Sequence, residues 1–164
     1  MNILEGKEKL KETSEQFGEQ LSEGEQIQKE GEETDRIASS IEAIGLDSDT
    51  QEAARKVESD LSSAYTEKIG EVEKEVEKIS DTAKEHTDAL GETQEQVDEN
   101  AEKYGEMAGI SDIGRAAADA GKSKMESDSR AYDELIRENE TQMEQSRERA
   151  KNMASTVGSL FKRR

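Results

Sequence analysis

The sequence predicts an all-α fold: a long antiparallel coiled-coil helical hairpin joined by an additional N-terminal helix, together a three-helix bundle. Three observations carry that expectation. The 164 residues include no proline, which loops and disordered segments use freely and helix interiors exclude. Only 30% of the residues are apolar and 39% are charged. That is too lean for the two-sided core of a sandwich, barrel or doubly wound sheet, but it suffices for a narrow stripe along each of several helices. The apolar residues recur at intervals of three and four, the helical period, and nowhere alternate as a strand would.

Two punctuation marks divide the chain. Gly45-Leu46-Asp47-Ser48-Asp49-Thr50 offers a glycine to end one helix and four good N-cap residues to start the next. Gly109-Ile110-Ser111-Asp112-Ile113-Gly114 repeats the pattern. Residues 1–46 are therefore one helix, to which Leu10, Phe17, Leu21, Ile27, Ala38, Ile41 and Ile44 bring apolar groups. Gly18, Gly24 and Gly31 each cost about 1 kcal/mol inside a helix, and residues 5–35 are very polar. This helix is accordingly expected to be partly frayed, with only its second half docking firmly. The hairpin occupies residues 50–163, with its turn at 109–114.

Within the hairpin, the middle segment carries the stripe Ala54, Val57, Leu61, Tyr65, Ile69, Val72, Val76, Ile79, Ala83, His86, Leu90, Thr93, Val97, Asn100, Tyr104 and Met107. From Ile69 onward its steps alternate strictly between three and four, a coiled-coil heptad; the 4-4 steps from Val57 to Ile69 are a stutter that relaxes the supercoil. A helix from about Thr50 to Met107 would be roughly 85 Å long at 1.5 Å per residue. The last segment has its own stripe, from Met125, Ser129, Tyr132, Ile136, Asn139, Met143 and Ser146 to Ala150, Met153, Val157 and Leu160. Folding the chain back at residue 111 pairs residues whose numbers total 222: Val97 with Met125, Leu90 with Tyr132, Ala83 with Asn139, Ile69 with Met153. The two periodicities are independent of the loop, so their agreement across it predicts an antiparallel hairpin.

Several of these layers are soft. Ala83 against Asn139 and Thr93 against Ser129 bury little apolar area, so something else is expected to cover the seam. Leu90, Tyr132 and Ile136 lie beside the soft layers and beyond the convincing half of the first helix. They are the expected partner-binding anchors, with Gly121 marking a small-residue tip where a partner helix would approach closely.

Catalytic chemistry finds no foothold. The chain has no cysteine, hence no thiolate ligand or nucleophile. Its single histidine, His86, sits in the seam without a nucleophile and an orienting acid, so it reads as a half-buried group that tunes stability with pH. A Glu-x-x-His di-iron pair is broken by Ala83. Asp47, Asp49, Gln51 and Glu58 fall at calcium-loop spacings, but Glu52 stands where the loop needs glycine, and capping explains them better. Gly105, Gly109 and Gly114 make a turn, not a phosphate cradle. Met107, Met125, Met143 and Met153 are core filler at seam spacing. The expectation is a non-enzymatic chain with no catalytic, cofactor-binding or metal-ligating residue.

Partners follow from charge. A formal net charge of -18 disfavours nucleic acid and anionic lipid. The exception is the stretch from Arg147 to Arg164, where six basic residues face Glu148 alone; if membrane is touched at all, this basic end touches it. Met1 to Glu8 lacks the apolar core of a secretory signal, and no run approaches the ~20 apolar residues of a membrane span. A cytoplasmic protein, or one exported without a cleavable signal peptide, is expected.

The acidic, cysteine-free hairpin from Thr50 to Phe161 resembles in architecture the small helical-hairpin proteins of bacterial type VII secretion, the Trp-x-Gly family and the helical partners of LXG toxins. The chain has no Trp and so no Trp-x-Gly turn. Tyr65, Tyr104 and Tyr132 are followed at the fourth place by Ile69, Ala108 and Ile136 instead of the acidic residue of that family's export signal. The resemblance implies an interaction module, a secretion-associated partner or a targeting or chaperone protein for a larger helical effector. The alternative is a coiled-coil scaffold that self-associates. The expected partner is thus another helical protein or a second copy of the chain.

Overall fold

The computed structural model describes residues 1–107 and 112–162. These residues form three α-helices and no strand: α1 (Ile3–Glu42), α2 (Ser48–Met107) and α3 (Asp112–Ser159). The all-α three-helix bundle read from the sequence is the fold. The centre of the second turn, 109–111, lies outside the described residues, and 112–114 open α3 instead of belonging to a turn.

The helix starts are chemically marked. Asn2 Oδ1 accepts the Glu5 N–H at 2.8 Å, and the Asn2 carbonyl accepts from Gly6 at 2.9 Å, which satisfies donors that the first turn of α1 leaves without partners. Asp47 does the same for α2. Its Oδ1 accepts the Thr50 N–H at 2.9 Å and its carbonyl accepts the Gln51 N–H at 2.9 Å. The backbone N–H of Thr50, then its side chain, hold the Asp47 carboxyl below the ordinary carboxylate range. Gly45, with φ of 73°, supplies the left-handed residue that ends the first helical segment.

The helices contribute to two compact units, each built from parts of all three. The first takes Met1–Glu15 and Ser80–Glu144. Its core is Leu90, Tyr132 and Leu135, against which Met1, Ile3, Leu10, Val97 and Ile136 pack. Asn139 donates to the Ala83 carbonyl at 2.6 Å, so the layer of residues 83 and 139 is present as the register predicts. Leu90 and Tyr132, another expected pair, share one cluster. Toward the second turn the buried positions become Ala101 and Ala118, and the Tyr104 ring lies against Gly121, 2.8 Å from where a Cβ would stand.

The second unit takes Gln16–Ile79 and the residues from Gln145 onward. Phe17, Leu21 and Ile27 of α1, Ile69, Val72 and Val76 of α2, and Ala150, Met153 and Val157 of α3 are its buried core. Arg147 Nε donates to Glu77 at 3.0 Å, and Arg149 pairs with Glu25, so basic groups on α3 reach acidic groups on both other helices. At the end of α3, the Phe161 ring stacks on Tyr65 with centroids 6.2 Å apart, and the Phe161 N–H donates to Asp35 at 3.2 Å.

One expectation is corrected. α1 is helical from Ile3 to Glu42, and its polar first part is docked, not frayed. Its covered face runs Ile3, Gly6, Leu10, Thr13, Phe17, Gln20, Gly24, Ile27, Gly31, Thr34 and Ala38, none of them exposed, in unbroken steps of three and four. Half of this heptad is glycine, threonine or glutamine, so counting large apolar residues misses it. The small residues match bulk opposite. A Cβ at Gly6 would stand 2.8 Å from Leu90, one at Gly24 2.8 Å from Met153, and one at Gly31 2.9 Å from Leu160. Gly18, by contrast, faces open space.

That difference gives a direct test. Gly18→Ala should stabilise the protein by about 0.5–1 kcal/mol in chemical denaturation, because only the helix-propensity gain operates. At Gly24 the added methyl must displace the Met153 methyl and crowd Val72, 3.2 Å away. Gly24→Ala should therefore yield no gain, and an equal gain at both sites would contradict the close-packed seam.

Candidate functional site

Leu90 and Tyr132, expected as partly uncovered anchors, are 2% and 4% exposed. This is a correction with a clear cause: Met1 and, from α1, Ile3 and Leu10 pack on them, as does partly buried Ile136. Burial, with the Asp128 charge adding, pushes the Tyr132 hydroxyl pKa up. Leu90 and Tyr132 are core. Gly121 is half-buried beneath Tyr104 of its own unit, so its close approach is already occupied.

Three polar side chains in the same seam donate to helix backbone, while Asn139 Oδ1 is enclosed without a hydrogen-bond partner. Asn139 donates to the Ala83 carbonyl and, at 2.7 Å, to Thr87 Oγ1; the Thr87 hydroxyl itself donates to the Ala83 carbonyl at 3.1 Å. Thr13 donates to the Lys9 carbonyl at 3.1 Å. His86 is half-buried, and its Nδ1 is enclosed without a hydrogen-bond partner. Burial first, and the Lys9 charge second, hold its pKa below the usual histidine value, while Glu12 and Glu85 pull the other way. Among the described residues no three His, Asp or Glu side chains converge into a metal-holding group.

The surface that stands out lies in the second unit, between α1 and α2. Ile37, Ala38 and Ile41 on one side and Ala53, Ala54, Val57 and Leu61 on the other line a groove of about 450 Å³. Ile37 is 62% exposed, Val57 56% and Ile41 43%, and Ile44 stands nearby at 74%. Exposed apolar side chains grouped in this way mark contact surfaces more often than scattered ones do. The periodicity of the sequence assigned Ala38, Ile41 and Ile44 to the covered half of α1. The overlooked signal was length: α3 ends at Ser159 and its partners in α2 end near Tyr65, so among the described residues no third helix covers the stripe before Tyr65.

Compared with protein-family models, curated proteins and solved structures, the chain finds no match. No helix among the described residues is long and apolar enough to cross a membrane.

Two measurements check these placements. Leu90→Ala should lower stability by about 2–5 kcal/mol, the usual cost of emptying a buried leucine site, and Tyr132→Asp should unfold the first unit, seen as lost helicity. A folded Tyr132→Asp protein would contradict the core assignment. His86 carries a lowered pKa in the folded state, so its contribution is complete above the unfolded value of 6.5 and fades as pH falls through the folded value. Wild type should lose stability as pH falls below 6.5, and His86→Leu should lose less; equal losses would count against histidine as the source.

Proposed function

We propose that the chain is a non-enzymatic helical protein–protein interaction module that binds through the α1/α2 groove. The observation that supports this reading is the run of exposed Ile37, Ile41 and Val57 along a groove whose walls are helices. In the seam, the Thr13 and Thr87 hydroxyls and the Asn139 amide N–H serve helix carbonyls. A narrower reading makes the module a secretion-associated partner or a targeting or chaperone protein for a larger helical effector; its support is the hairpin architecture. The alternative, a coiled-coil scaffold, would use the same groove to bind a second copy.

A photoreactive residue at position 57, introduced into the intact chain in the cells that make it, tests the reading. It should crosslink to another protein, while the same residue at the exposed position 123 of α3 should not. Crosslinks to a second copy of the chain would replace the module with the scaffold. No crosslink at 57 beyond that at 123 would remove the groove as the binding site.

A further inference from the structure

We infer that the groove takes an amphipathic helix of another protein with an apolar face about three turns long and flanks rich in Lys and Arg. The inference rests on the interaction reading above and names the chemistry of the partner.

The shape of the occupant follows from how α3 ends. Up to Leu160, α3 lies along the track between α1 and α2: Met153 packs at Gly24, Leu160 at Gly31, and Phe161 stacks on Tyr65. The next positions along the same track are Thr34, Ala38 and Ile41 on α1 and Leu61, Val57 and Ala54 on α2, and these line the groove. The groove therefore continues a site that already accepts a helix. Its α2 wall, from Leu61 back to Thr50, spans roughly 16 Å at 1.5 Å per residue, or about three helical turns. An occupant with apolar residues at i, i+3, i+4 and i+7 presents one face of that length.

Its charge follows from the segment that carries the walls. Glu42, Glu58 and Arg55 line the groove, and from Thr34 to Leu61 the chain carries seven acidic residues against three basic ones, a net of -4. The helix that already occupies the track is basic where it meets its neighbours, through Arg147 to Glu77 and Arg149 to Glu25. A basic partner helix repeats that arrangement. A second copy of the chain would bring the same -4 into contact with itself, on a molecule of net charge -18, and like charges at an interface select against a pairing.

The test uses the intact protein and three labelled peptides of about 18 residues, long enough to span the groove with about a turn to spare at each end. One has leucines on a single helical face and Lys or Arg elsewhere. The second keeps the leucines and carries Glu in place of Lys and Arg. The third has the composition of the first, scrambled so that no apolar face forms. Fluorescence anisotropy at physiological ionic strength should show the basic amphipathic peptide binding at least tenfold more tightly than either control. The double variant Ile37→Asn, Val57→Asn should weaken it about tenfold with helicity and melting unchanged, because both positions are more than half exposed. Asparagine leaves the charge alone, so the loss would report the apolar face. Equally tight binding of the acidic peptide, lost in the double variant, would overturn the basic partner while leaving the interaction reading intact. Unchanged binding by the double variant, or equal binding of the scrambled peptide, would overturn both. A dimer of the unliganded chain in sedimentation, dispersed by the double variant, would put a second copy in the groove instead.

Discussion

A chain with this few apolar residues can bury only a strip one side chain wide along each helix, and the fold is the consequence of that limit. Most helical stability in proteins comes from a packed face, so each helix here relies on the other two. Three strips closing on one another bury each on two sides. The strips then have to fit closely, because thin layers leave no spare area to offset a gap. Glycine at positions 6, 24 and 31 follows from this: each gives up helix propensity so that Leu90, Met153 or Leu160 can enter the space a Cβ would fill. Gly18 makes no such contact and carries only the propensity cost.

The sequence is a good guide to the hairpin and a poor one to α1, for reasons visible in particular residues. α2 and α3 mark their strips with Ile69, Val72, Val76, Leu90, Tyr132, Met153 and Val157, all buried, and a period made of large apolar groups is readable without a partner. α1 marks half of its strip with Gly6, Thr13, Gln20, Gly24, Gly31 and Thr34. Those residue types look like breaks in a pattern until the bulky side chains facing them are known, which is a tertiary fact. The same reasoning inverted the two ends of α1. Ile37, Ile41 and Ile44 have the composition of a core, and whether they are covered depends on where another helix stops. Leu90 and Tyr132 went the other way, because the N-terminal turns that cover them were expected to fray.

Polar residues in the seam act on register more than on stability. Asn139 reaches the Ala83 carbonyl and Thr87 in one arrangement of α2 and α3, and sliding either helix by a turn would bury the same amide without those partners. A lost buried hydrogen bond costs about 1–3 kcal/mol in such a setting, comparable with what a soft apolar layer contributes. A single polar seam residue is a known means of fixing helix register at some expense in stability. Here it also explains why the layer at Ala83, weak by area, holds its predicted partner.

The same economy accounts for where the proposed binding groove sits. A side face of the bundle offers charged residues with little apolar area, and the seam is filled by its own three strips. The track between α1 and α2 becomes available where α3 ends, after Ser159, and there the cost of exposed Ile37, Ile41 and Val57 is tolerable because they are few. Charge then acts as the second filter. Acidic residues flank those apolar groups on both helices, with Glu42 on one wall and Glu58 on the other, beside Arg55. An apolar contact alone would accept any hydrophobic helix, whereas under the proposed reading the net acidic surroundings would penalise acidic ones, including another copy of this chain. Affinity from a short apolar strip and selectivity from its charged borders are the two properties that a narrow helical groove on an acidic chain supplies together.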